Sequence, residues 1–194
     1  KSLHRSTYKK FEFISVQDPS SKKFYEKLGA TCEIRLDGSL KPHCPPLVFD
    51  ERRLKDIRKK IANKSTWIVG SSYCEDEKIA IDTQKLLRDK NIHKLLVLVP
   101  RSPNRGEEIT KSLKDFKVKV HSKGEVPNSN TDIFIVDTIG EIGLWYKASE
   151  VALIGGTLGS EDGHNPWEAL HLDCNVAFGP RHLRYKEDFT LLEK

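Results

Sequence analysis

The sequence contains no methionine, no CxxC pair among its four cysteines, no apolar run longer than five residues and only 8% aromatic residues. Each shortage excludes something. Cys32, Cys44, Cys74 and Cys174 are scattered, which argues against a disulfide scaffold and most zinc modules and fits a reducing compartment. The longest apolar stretch, 95–99 (LLVLV), is far too short for a membrane-spanning helix, and no signal-peptide pattern stands at the start. An RNA-binding sheet needs aromatics interleaved with basic residues, and the aromatics here are few. The lack of methionine, even at position 1, is expected if the chain starts inside a longer protein or if modified methionines are left out of the printed sequence.

What remains is an ordinary globular composition of 194 residues, 37% apolar and 31% charged, with a modest net charge of +5. That length suits one domain, or one domain with a piece of a second. Much of the positive charge lies in 51–64 (ERRLKDIRKKIANK), where Leu54, Ile57 and Ile61 make the apolar stripe of an amphipathic helix. Its basic residues then coat a solvent face, or else attract anionic headgroups or nucleic acid.

Strand and helix patterns alternate along the chain. The spacing predicts strands over 11–17 and 31–36 around a helix over 20–28, closed by Gly29. The segment 37–46 (DGSLKPHCPP) has three prolines and no periodicity, and reads as a linker. Further strands are expected over 66–71, 94–99, 117–120, 132–136, 151–155 and 175–178, with helices over 76–90, 103–115, 140–148 and 166–172 and a loop over 121–131. Runs such as LLVLV do not alternate, so both sheet faces must be covered. That is the mark of a doubly wound parallel α/β sheet. In such a sheet ligands bind beyond the carboxyl ends of the strands, so the residues just after each strand carry the chemistry.

Three of these strand ends stand out. The segment 155–170 (GGTLGSEDGHNPWEAL) leads from a strand through four glycines into a helix. Gly155 and Gly156 allow backbone close to a ligand, with free amides suited to a phosphate. Asn165 is a good N-cap, Pro166 suits the first helical position, and Glu168 either faces a ligand or reaches back in a capping box. In 99–105 (VPRSPNR), Arg101 is placed to pair with a phosphate or to lie on the surface. In 137–143 (DTIGEIG), helix-start amides meet a nucleotide, or Asp137 or Thr138 simply caps the helix. His43 and Cys44 have no partners at metal spacing. His164 reads as a loop anchor rather than a base, Glu161 and Asp162 as solvated loop charges, and no GxSxG nucleophile elbow is present.

Together these stretches resemble one family, the 3-deoxy-D-manno-octulosonic acid (Kdo) transferases of lipid A assembly, which have the GT-B fold. The carrying segments are DGSLK (37–41), WIVGSS (67–72), LLVLVPRSPNR (95–105), DTIGEIGLWY (137–146), 155–168 and FGP (178–180). The resemblance implies the end of an acceptor lobe over 1–41, an interlobe linker over 42–50 and a Rossmann-like donor-nucleotide lobe over 51–194, truncated at its C-terminus. It implies inverting, metal-independent transfer of Kdo from CMP-Kdo to a lipid A precursor, with no further cofactor and no nucleic-acid partner. The setting would be the cytoplasmic face of the bacterial inner membrane, reached through residues upstream of this chain. By the same resemblance, Pro100 and Arg101, Gly140, Glu141 and Ile142, and Asn165, Pro166, Trp167 and Glu168 contact CMP, with Glu168 on the ribose hydroxyls. Ser71, Ser72, Gly155, Gly156, Thr157 and His164 are possible further donor-loop contacts. Lys41 would stabilise charge in the transition state, and the general base, a glutamate, would lie in the upstream lobe.

Departures from the family pattern fall at Ser71–Ser72–Tyr73–Cys74, where the family reads Ser-Thr-His-Glu, at Ser102 in place of histidine, and at Arg184–Tyr185 in place of Asn-Phe. They leave room for a different sugar donor within the same fold. A non-catalytic nucleotide- or RNA-binding module is the alternative from another class.

Overall fold

A computed structural model describes residues 6–193 and resolves two compact units, one holding the described residues through Cys44 with those from Thr190 on, the other Pro45–Phe189. In the first unit, parallel strands β1 (Phe13–Val16) and β2 (Glu33–Leu36) are joined by helix α1 (Pro19–Leu28). Asp18 caps α1 by accepting from the Ser21 amide at 2.7 Å, and Gly29 ends it at φ 83°, the left-handed conformation its position predicts. A single 3₁₀ turn, Lys41–His43, precedes the second unit.

The second unit is a six-stranded, all-parallel sheet. Helix α2 (Glu51–Lys60) leads into β3 (Thr66–Ser72), α3 (Cys74–Asp89), β4 (Leu95–Pro100), α4 (Gly106–Lys111), β5 (Val118–Val120), β6 (Ile133–Ile135), α5 (Ile142–Ala148), β7 (Val151–Ile154), α6 (Trp167–Leu170), β8 (Asn175–Ala177) and α7 (Lys186–Leu192). The spatial order is β5-β6-β4-β3-β7-β8. Every β4 residue is buried, as a strand covered on both faces requires. Leu54 and Ile57 of α2 are buried beneath its basic outer surface.

The expected strands all form within a residue or two. The helices expected over 20–28 and 76–90 form at full length, but three of the later ones are shorter than their patterns suggest. The segment expected as a helix over 103–115 is a 3₁₀ turn (Pro103–Arg105) followed by the short α4. The one over 140–148 begins only at Ile142, and the last one is a single turn. Glycine and proline at their starts favour turn geometry over a regular first turn. The expected loop over 121–131 contains one 3₁₀ turn, His121–Lys123.

Register fixes where the strands end. Val120, Ile135, Leu98, Val69, Leu153 and Ala177 lie level across the sheet. The segments that follow β4, β6 and β7 therefore leave from one edge. The chain runs outward in one direction from β3 and returns to its other side at β7, so the topological switch lies between β3 and β7.

Candidate functional site

At this switch two strands leave in close contact. The Gly155 amide donates to the Gly70 carbonyl at 2.9 Å, and a Cβ on Gly155 would overlap the carbonyl oxygens of Ser71 and Gly70. Only glycine permits that approach. The next amide, of Gly156, donates to Asp76 Oδ2 at 2.7 Å. These two amides are thus committed inside the protein, which corrects the expectation that they are free to hold a phosphate. The Thr157 hydroxyl is also committed. It donates to the Ile154 carbonyl at 2.6 Å, accepts from the Gly179 amide at 2.9 Å, and is fully buried. Ser72 is likewise buried, its hydroxyl donating to Glu77 at 2.9 Å. Thr157 and Ser72 therefore build the site and offer no side chain to a ligand. Ser71 is half-buried with φ 57°, the sharp turn out of β3.

The far end of the glycine segment carries the half-buried His164. Its ring stacks on Tyr73 at 5.7 Å between centroids and 3° between planes. Its Nε2 is buried without a hydrogen-bond partner. Burial first, then the positive charges of Arg101 and Arg184, push its pKa below the usual value. At neutral pH this favours a neutral imidazole, held by stacking on Tyr73 rather than by a hydrogen bond at Nε2.

Asn165 holds the Trp167 amide through Oδ1 at 3.2 Å, so it orders the start of α6 from two residues upstream. Trp167 donates its indole N–H to buried Asp188 at 2.9 Å, leaving the ring without a free donor. Pro166 is buried. The carboxyl of Glu168 is half-buried, and Asn165 Nδ2 approaches it at 3.4 Å. No reach back to a cap amide is seen, so the capping-box alternative is set aside. Burial raises the Glu168 pKa above the usual carboxylate range. The phenols of Tyr146 and Tyr185 interact electrostatically with this carboxyl.

Pro100 is buried at the end of β4, and exposed Arg101 follows it, its amide donating to the Ser72 carbonyl at 3.0 Å. In the segment after β6, neither Asp137 nor Thr138 caps α5. Asp137 accepts from the amide and hydroxyl of Ser122 at 2.9 and 2.7 Å, and the Thr138 hydroxyl meets His121 Nδ1 at 2.7 Å. Gly140 is exposed at φ 90°, and Ile142 is half-buried. Glu141 is gripped from α2 by both guanidinium nitrogens of Arg53, at 3.0 and 2.7 Å. Lys41 belongs to the first unit, where its Nζ donates to Gln17 at 3.0 Å.

Sequence reasoning missed Asp76, Glu77, Arg53 and Tyr73. Acidic residues in a helix's first turn have an adequate local explanation in the helix dipole, so nothing marked the first two. Among the described residues no three His, Cys, Asp or Glu side chains converge to hold a metal ion, and no helix is long and apolar enough to cross a membrane.

No protein-family model matches the chain. The 3-deoxy-D-manno-octulosonic acid transferase of Haemophilus influenzae is 30% identical over 199 residues, covering 97% of this chain and 45% of that protein. Its namesake from Rickettsia felis is 28% identical, covering 93% of this chain and 39% of that protein. The chain thus spans less than half the length of these curated relatives. Among solved structures, the C-terminal CMP-Kdo binding domain of WaaA from Acinetobacter baumannii superposes with a TM-score of 0.66 at 22% identity, covering 72% of this chain and 75% of that one. Over nearly its whole length, then, this chain is similar to the 3-deoxy-D-manno-octulosonic acid transferases, and it shares its doubly wound α/β fold with a solved CMP-Kdo binding domain.

Proposed function

We propose that this chain carries the donor site of a Kdo transferase and binds CMP-Kdo beyond the carboxyl ends of β4, β6 and β7. The observation that carries this reading is the level register of the parallel sheet. It sends the segments that follow β4, β6 and β7 out from one edge, and within those segments stand Pro100–Arg101, Gly140–Ile142 and Asn165–Glu168, the residues the resemblance ties to CMP. The similarity to curated Kdo transferases over 97% of the chain supports it.

The chemistry of the residues fits the roles. Arg101 is exposed, with a rigid fork of donors suited to a phosphate. An ionised Glu168 accepts from two vicinal ribose hydroxyls, and its half-buried setting strengthens such bonds. Arg53 holds Glu141, so the Gly140–Ile142 backbone is presented in a fixed position. Trp167 offers a ring rather than a donor. Lys41 stabilises charge developing in the transition state, and a glutamate upstream of this chain activates the acceptor, a lipid A precursor at the inner-membrane surface. The transfer inverts the anomeric centre without a metal ion.

Purified residues 1–194 are expected to transfer no sugar, because general-base catalysis, worth roughly 10²–10⁴-fold, lies upstream. The same chain extended to the length of its relatives is expected to transfer Kdo from CMP-Kdo to a lipid A precursor. Robust transfer by the 194-residue chain would refute the division of labour. Failure of the extended protein to use CMP-Kdo would refute the donor assignment.

A further inference from the structure

Two adjacent acidic residues in the first turn of α3 are buried among donor-site segments. Asp76 is 0% exposed and Glu77 4% exposed. A buried carboxylate is costly unless donors surround it, and each has a different set. Asp76 accepts from the Tyr73 amide at 3.0 Å, the Gly156 amide at 2.7 Å and the Leu158 amide at 3.4 Å. Glu77 accepts from the Ser72 hydroxyl at 2.9 Å and from Arg105 Nη1 at 2.8 Å.

Capping α3 requires only the Tyr73 contact. The other partners are the end of β3 at Ser72, the glycine segment at Gly156 and Leu158, and Arg105 in the segment after β4. Through Gly156 and Leu158, Asp76 fixes the start of the glycine segment. Through Tyr73 it also holds the ring on which His164, near the end of that segment, is stacked. Glu77 brackets the segment after β4. At one end Ser72, whose hydroxyl it binds, accepts the Arg101 amide through its carbonyl at 3.0 Å; at the other stands Arg105.

We infer that Asp76 and Glu77 are positioning residues for the nucleotide site, which together index the glycine segment and the Arg101 segment to one rigid helix start. This rests on the donor-site reading above. Neither carboxylate touches the ligand. Each holds backbone or a partner side chain in the place from which Arg101 and the 155–168 segment meet it. A site on loops is accurate only when its supporting contacts are locked.

The test is calorimetric titration of CMP into the full chain and its variants Asp76→Asn and Glu77→Gln, at low temperature where all are folded. Leu113→Ala, a core truncation at a residue 2% exposed, serves as a comparator destabilised through the hydrophobic core. Asp76→Asn sets an NH2 donor against a backbone amide donor, and Glu77→Gln removes the charge that pairs with Arg105. CMP affinity is therefore expected to fall about tenfold or more in the first and in the same direction in the second, while Leu113→Ala stays within about twofold. Equal affinity in all three variants would overturn the inference. Hydrogen exchange on the unmodified chain decides the matter even if a variant does not fold. The Gly156 and Leu158 amides are expected to be protected without ligand, and rapid exchange that slows only with CMP would overturn preorganisation. An unmodified chain that does not bind CMP would instead refute the donor-site reading itself.

Discussion

Glu168 sits half-buried, its carboxyl pushed toward the protonated form by desolvation and approached only loosely by Asn165. Such a group is poorly served in the ligand-free protein and well served by a pair of ribose hydroxyls. Replacing it by glutamine removes a charged acceptor, and hydrogen bonds to charged groups are worth about 1.5–3 kcal/mol. CMP affinity is therefore expected to fall roughly 10- to 100-fold in Glu168→Gln, with little change in ligand-free melting. Lost stability with retained affinity would make the residue a helix-start element only. The raised pKa adds a sign. The folded, ligand-free state holds the Glu168 proton more tightly than the unfolded chain does. This contribution to stability is fully present below the unfolded value and is lost as pH rises through the raised one. Binding needs the ionised form, so CMP affinity is expected to rise over that same window. Comparing profiles of the unmodified chain and Glu168→Gln cancels the titration of CMP itself. Parallel profiles would contradict the assignment. At this scale residue type limits what Glu168 and Arg101 can offer, a charged acceptor and a fork of donors, and the structure leaves the first half-buried and the second exposed. The sequence misled where a side chain faces inward, because nothing local shows that Thr157 and Ser72 are buried and bonded within the protein.

Among the elements, β3, β4 and β7 do the placing. Strand existence was legible from apolar runs and turn residues, because a strand buried on both faces has few alternatives. Their order was not. β6 enters between β4 and β5, which depends on contacts distant in sequence. The close approach of Gly155 to the end of β3 was half legible. The glycine marked a backbone need, but not that the neighbour would be the Ser71 carbonyl. A methyl group there must separate β3 from β7 or distort the turn, and overpacking of this kind typically costs about 1–3 kcal/mol. Gly155→Ala is accordingly expected to lower the denaturant midpoint and weaken CMP binding together, since both strands lead into the site. Denaturant unfolding unchanged from the original chain would show that the strands separate freely. The helix starts were the least legible elements. Asp137 and Thr138 have the side chains of caps, but are drawn instead to Ser122 and His121 on the neighbouring segment.

For the molecule as a whole, the parallel sheet sends separate stretches of sequence out from one edge. The segments that follow β4, β6 and β7 hold Pro100–Arg101, Gly140–Ile142 and Asn165–Glu168, and the level register sets the strand ends from which all three depart. Each segment is held by contacts from elsewhere in the unit: Glu77 for the first, Arg53 for the second, Asp76 and Tyr73 for the third. The chain matches 97% of its own length to a Haemophilus influenzae transferase but spans 45% of that protein, so binding and not turnover is where its central claim is exposed. The most direct measurement is calorimetric titration of CMP, UMP, ADP and NAD into the 194-residue chain under one set of conditions. The account predicts that CMP binds more tightly than the other three. Equal binding of all four nucleotides, or of none, would contradict it.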